Sequence, residues 1–285
     1  MTRHRRQEKR DERIGSPIVA NSGTVAAPRS LYTALEARAA LEYSTWSALR
    51  PALENLERGD GHPVLVLPGF TAGDRSTLQL RALLRRLGYR TYGWKLGANL
   101  GPTSHIVQGL DERFREIAQK EKQPVSIIGW SLGGIFARQL ARNHPGQVRQ
   151  VITLGSPIRM APGDPSAASN IWNSLKPLHD AEASETMAGR VWPPLPVPAT
   201  SIYTRTDGIV NWRTCLEAKG PLSENVQVFG SHCGLGFNPS VALVVADRLR
   251  QPIGDWRRFR SPLWARAFYP HAANWKPKGD DGLAA

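Results

Sequence analysis

A β-branched run, Val125-Ser126-Ile127-Ile128, ends in Gly129-Trp130-Ser131-Leu132-Gly133-Gly134 and opens at once into Ile135-Phe136-Ala137-Arg138-Gln139-Leu140, which has helical spacing. A strand that runs through a glycine-bounded serine into a helix leaves the backbone few options. The chain must turn sharply, and the glycines let neighbouring backbone approach where a Cβ would block it. The spacing predicts a nucleophile elbow with Ser131 held out on a strained turn. The helix start behind it offers backbone N–H groups and positive dipole character to a developing oxyanion.

A serine hydroxyl is a poor nucleophile without a base and an orienting acid. On such a scaffold the partners follow in the order Ser, then Asp or Glu, then His, each just past a strand. Ala199-Thr200-Ser201-Ile202-Tyr203-Thr204 reads as a strand and leads to Asp207-Gly208. Val226-Gln227-Val228-Phe229 reads as another and leads to Gly230-Ser231-His232. His232 is therefore the candidate base and Asp207 the acid that fixes its tautomer. Asp-Gly also favours plain turns, and a half-buried histidine needs no chemistry. The agreement of order, strand ends and elbow sets this pair apart. Asp164 and Asp180 have no strand before them, His62 and His105 precede the elbow, and His144 ends a helix. Two amides are expected to hold the oxyanion: Leu132, after the nucleophile, and Phe70, after the strand Pro63-Val64-Leu65-Val66-Leu67.

These residues carry a resemblance. The Pro-Gly-Phe loop (68–70), Gly-Trp-Ser-Leu-Gly-Gly (129–134), Ile152-Thr153-Leu154-Gly155-Ser156-Pro157, Asp207 and Gly-Ser-His (230–232) resemble the α/β-hydrolase superfamily, and within it a bacterial lipase/esterase-like branch. The resemblance covers about residues 60–250. It implies an α/β fold with a mostly parallel central sheet, helices on both faces and a cap or lid insertion. It implies a serine hydrolase acting on carboxylic esters, with no cofactor and no metal. Substrate does not follow from fold.

The remaining sequence fits that frame. The chain has 285 residues and 41% apolar content, enough for one large core. Residues 1–29 are expected to be a disordered basic arm, and 30–58 an N-terminal helical segment that Pro51 breaks or kinks. Residues 59–250 form the α/β-hydrolase domain, in which Asp74 is expected to cap a helix, and Thr103 or Ser104 another. Tyr89–Trp94 reads as a strand, and Val241 to Leu249 as the closing helix. Residues 157–197 break the βα rhythm as a cap or lid insertion. Trp130, Trp172 and Trp192 are the candidate substrate-pocket residues. Cys215 and Cys233 lie on loops that should converge, as a bridge or as two separate thiols.

Net charge is +13, yet no nucleic-acid-binding module is present, so nucleic acid is not an expected partner. Residues 251–285 form a basic aromatic tail, with Trp256-Arg257-Arg258-Phe259-Arg260 and Leu263-Trp264-Ala265-Arg266-Ala267-Phe268. It either packs over the domain or meets an anionic membrane surface peripherally. No apolar run reaches the roughly 18 residues of a membrane span. The N-terminus has no apolar h-region, so the expected compartment is cytoplasmic. The expected partner is a small-molecule or lipid ester substrate. Acyl transfer or thioester cleavage by the same three residues, or a non-catalytic docking role, remain open at this point.

Overall fold

The computed structural model describes residues 25–161, 163–184 and 194–273. The basic arm up to residue 24, Trp192 and the tail beyond residue 273 lie outside the described residues.

Six strands form one sheet: β1 (Pro63–Leu67), β2 (Arg90–Gly93), β3 (Val125–Trp130), β4 (Val148–Leu154), β5 (Ala199–Tyr203) and β6 (Ser223–Gln227). All pairings are parallel, in the order β2-β1-β3-β4-β5-β6. β1 and β3 are wholly buried, as expected of strands covered on both faces. Alternate side chains go to opposite faces. Val64 and Val66 join one apolar cluster with α2 (Ala39–Glu54), α3 (Leu78–Arg86) and α7 (Pro239–Arg250). Leu65 and Leu67 join another with α4 (Ser104–Glu121) and α5 (Leu132–Asn143). Two short helices complete the described set, α1 (Ser30–Ala34) and α6 (Ser169–Leu175).

The chain steps outward from β1 to β2, then returns to β3 and proceeds the other way. That reversal between β1 and β3 opens a crevice beyond the carboxyl ends of the strands, where ligands of open α/β sheets bind. Phe70 follows β1 and Ser131 follows β3, so both candidates flank it.

Three local expectations are corrected. Pro51 does not break its helix, since α2 runs through it. Pro51 is exposed, and so is Ser47, whose carbonyl it leaves without a helical donor. Asp74 does not cap α3, which starts without a side-chain cap. Its carboxylate instead accepts the N–H groups of Trp94 and Lys95, at 3.1 and 3.0 Å, and ties the loop after β1 to the end of β2. The last strand starts at Ser223 rather than Val226. Its early residues are polar but satisfied: buried Glu224 accepts from Arg248 and Thr200, each at 2.8 Å. Thr103 caps α4 as expected, accepting from Ile106 N–H at 3.2 Å.

Residues 251–273 pack back on the domain. Phe259 and Tyr269 lie against the α7 cluster, and Tyr269 donates to the Ser240 carbonyl at 2.8 Å. Leu263, Trp264 and Phe268 face outward, 88, 71 and 53% exposed.

Candidate active site

Ser131 ends β3 and begins α5 with φ 52° and ψ −123°. A residue that carries a Cβ rarely adopts positive φ, so the turn is strained. The strain persists because the surroundings leave no alternative. Ser131 N–H donates to the Leu154 carbonyl at 2.8 Å, which fixes the turn to β4. A Cβ on Gly129 would overlap the backbone of Gly133 and Gly134. One on Gly133 would lie 2.6 Å from the Leu67 and Pro68 carbonyl oxygens. The elbow therefore packs backbone to backbone against the loop after β1.

Asp207 and His232 follow β5 and β6 and meet beside β4. His232 Nδ1 lies 2.6 Å from Asp207 Oδ2, and both residues are buried. The other carboxylate oxygen of Asp207 accepts the N–H groups of Ile209 and Val210, at 2.9 and 2.8 Å. The carboxylate is thus pinned on both sides. The imidazole lies over Gly155, where a Cβ would come within 3.1 Å of Nδ1. Burial disfavours the charged imidazole. The Asp207 carboxylate, through its field and its hydrogen bond, outweighs burial with help from Glu36, and the pKa of His232 is raised above the ordinary value. Ser131 and His232 share no side-chain hydrogen bond here. Such contacts are often long before substrate arrives and tighten in the reacting complex.

The loop after β1 abuts Ser131, since a Cβ on Gly69 would lie 3.2 Å from Ser131 Cβ. This puts the Phe70 amide beside the turn whose helix begins with Leu132. The Phe70 ring contacts Trp172 of α6 at 5.3 Å between centroids, and Trp172 contacts His179 at 4.5 Å. His179 in turn bonds the Leu100 carbonyl at 2.9 Å, and Asp180 Oδ2 accepts from Ser104 at 2.8 Å. The described part of the 157–197 insertion is therefore anchored on the start of α4, with Trp172 next to Phe70.

Trp130 is placed differently from expectation. Its indole N–H donates to the His232 carbonyl at 3.1 Å, and its ring packs edge-on to Phe237 in the core. It holds the loop that carries His232. The sequence pattern does not show this, because β3 is buried on both faces. Trp192 lies outside the described residues. Both cysteines are free thiols: Cys215 is buried and Cys233 exposed. Among the described residues no group of three or more His, Cys, Asp or Glu side chains is arranged to hold a metal ion.

The N-terminal segment supplies residues that sequence reading missed. Glu36, Arg38 and Glu42 reach the loops that carry Asp207 and His232. No local pattern marks them, because their partners are distant in sequence.

A family model described as "PGAP1-like alpha/beta domain" matches residues 104–187, which hold α4, β3, the elbow, α5, β4 and part of the insertion. A curated relative, a pimeloyl-[acyl-carrier protein] methyl ester esterase of Aliivibrio fischeri (strain ATCC 700601 / ES114), is 30% identical over 77 residues. That stretch is 27% of this chain and 28% of the relative, so the chain spans little of that protein's length. Among solved structures, Aspergillus fumigatus lipase B is 16% identical with a TM-score of 0.48, covering 67% of this chain and 53% of that one. The Paleococcus ferrophilus monoacylglycerol lipase is 14% identical with a TM-score of 0.49, covering 67 and 96%. These are weak likenesses, and the activities named belong to those proteins. The all-parallel strand order with its reversal between β1 and β3, and a family match that spans the elbow, are similar to the α/β-hydrolase fold.

Proposed function

We propose that this protein is a serine hydrolase that cleaves carboxylic esters through an acyl-enzyme on Ser131. The observation that carries this reading is the pairing of a positive-φ serine at the switch point with a buried His232–Asp207 pair that follows β5 and β6. In the proposed reaction Ser131 Oγ attacks the ester carbonyl and its proton passes to His232 Nε2. The Phe70 and Leu132 amides stabilise the oxyanion. The tetrahedral species collapses, the C–O bond to the alcohol breaks, and His232 returns the proton to the leaving alkoxide. Water then attacks the acyl group with His232 as base, releasing the acid and restoring Ser131. Asp207 stabilises the imidazolium that forms in each half.

A lipophilic acyl group is the proposed substrate class. Trp172 and Phe70 would present aromatic surface beside the oxyanion amides. The ester would be met at an anionic lipid surface. Exposed Leu263, Trp264 and Phe268 sit among Arg257, Arg258, Arg260 and Arg266, with no acidic residue between Trp256 and Ala273. Apolar groups among cations fit an interface that is apolar inside and negative at its rim. Among the described residues no helix is long and apolar enough to cross a membrane.

Hydrolysis of p-nitrophenyl esters from two to sixteen carbons, wild type beside Ser131→Ala, tests the reading. Serine-dependent turnover with a preference for longer chains supports it. Equal turnover by the alanine variant refutes it.

A further inference from the structure

We propose that Glu36 is a positioning residue for catalysis, holding the acid and base loops in register so that the N-terminal segment is a working part of the active site. The proposal rests on the Ser131–Asp207–His232 reading above.

Glu36 is the one buried residue of the short helical turn Leu35–Arg38. Its Oε1 accepts the N–H groups of Gly208 at 2.9 Å and His232 at 3.0 Å. Its Oε2 accepts the N–H of Cys233 at 2.8 Å. Gly208 directly follows the acid, and His232 is the base. One carboxylate therefore spans both loops through three backbone bonds, at the two residues whose relative position decides the His–Asp geometry. A buried carboxylate is costly unless such donors meet it, and an apolar side chain would fill the space with no such demand.

Two neighbours on the same segment also hold these loops. Arg38 donates to the Thr206 carbonyl at 2.9 Å and to the Gly230 carbonyl at 2.6 Å, again one bond to each loop. Glu42 accepts from Ser231 N–H at 2.7 Å and Ser231 Oγ at 2.9 Å. The loops are shaped to admit the segment. A Cβ on Gly208 would overlap the Tyr32 carbonyl, and one on Gly234 would overlap the Glu42 carboxylate.

The Glu36 charge has a second consequence. Behind burial and Asp207, it is a further contributor to the state of His232, and it favours the imidazolium. The groups facing His232 are Asp207 and Glu36. Cys233 adjoins it in the chain, and the Arg38–Glu42 pair, 3.5 Å apart, lies one residue further out.

The test uses the full chain with Glu36→Ala and the isosteric Glu36→Gln. Readouts are kcat and KM on a p-nitrophenyl ester, the pH–rate profile, and the NMR resonance of the His232 Nδ1 proton. Glu36→Ala should lower kcat by about 100-fold, the size of an ångström-scale misplacement, with KM little changed. Glu36→Gln keeps the Oε1 acceptor for Gly208 and His232 and should recover part of that loss. In both variants the acid limb should move to lower pH, which loss of packing alone would not cause. If Glu36→Ala does not fold, the Gln variant carries the test through its acid limb. A wild type inactive on every ester would refute the proposed ester hydrolysis separately. The Nδ1 proton would still report on the brace, protected in wild type and exchanging freely in the Ala variant. A kcat within about twofold of wild type in Glu36→Ala, or an unmoved acid limb in both variants, overturns the proposal.

Discussion

Asp207→Asn is the substitution whose outcome the geometry fixes most tightly. Asn and Asp are nearly isosteric, so the fold should be retained. Asp207 Oδ1 accepts two backbone N–H groups, from Ile209 and Val210, at 2.9 and 2.8 Å. An asparagine must keep its carbonyl oxygen there, since an amide NH2 would face two donors. Its NH2 group is then forced toward His232 Nδ1, which sits 2.6 Å from Oδ2 in the native chain. Facing a donor, Nδ1 becomes an acceptor and the neutral ring carries its proton on Nε2. That nitrogen can no longer take the Ser131 proton. The same change removes the carboxylate that raises the pKa of His232, so the residual activity should persist to lower pH than in wild type. The expected loss in kcat is about 10⁴-fold, near 5 kcal/mol of transition-state stabilisation. The assay is steady-state hydrolysis of a p-nitrophenyl ester across pH, with thermal unfolding as a control for fold. A variant that folds normally and keeps more than about a tenth of wild-type kcat would refute the role given to Asp207.

Two further outcomes follow from the packing. Gly129→Ala should destabilise the protein by about 3 kcal/mol or more, because its Cβ meets backbone of Gly133 and Gly134 that no rotamer change can relieve. Differential scanning calorimetry should then show a Tm lower by several degrees, and an unchanged Tm would contradict the elbow packing. The tail gives the other. Wild type should co-sediment with phosphatidylcholine vesicles containing phosphatidylglycerol, less so as salt rises, and Leu263→Asp/Trp264→Asp should bind at least about tenfold more weakly. Equal binding to neutral and anionic vesicles, or no effect of the double variant, would remove the lipid surface from the account.

What the sequence makes legible here is set by sterics and by local order. The elbow could be read because only glycine fits at 129 and 133, and because the strand before it and the helix after it obey different periods. The Asp207–His232 pair could be anticipated because both residues follow strands. Local reading failed where a polar group serves a distant partner. Asp74 has the look of a helix cap, but its partners, Trp94 and Lys95, lie just past β2. Glu224 puts a charge near the start of a strand, paired with Arg248 from a helix further along the chain. Glu36 is the clearest case. It lies 172 residues from Gly208 and 196 from His232, within a stretch whose composition says only helix. For Trp130 the sequence assigns no sheet face, and it is the structure that turns its indole N–H to the His232 carbonyl.

The most direct test of the central claim is to quench wild-type turnover of a slow ester substrate and map the acyl group by peptide mass spectrometry. The account predicts an adduct of the acyl mass on Ser131, absent from Ser131→Ala. An adduct on another residue, or turnover by Ser131→Ala at the wild-type rate, would contradict it.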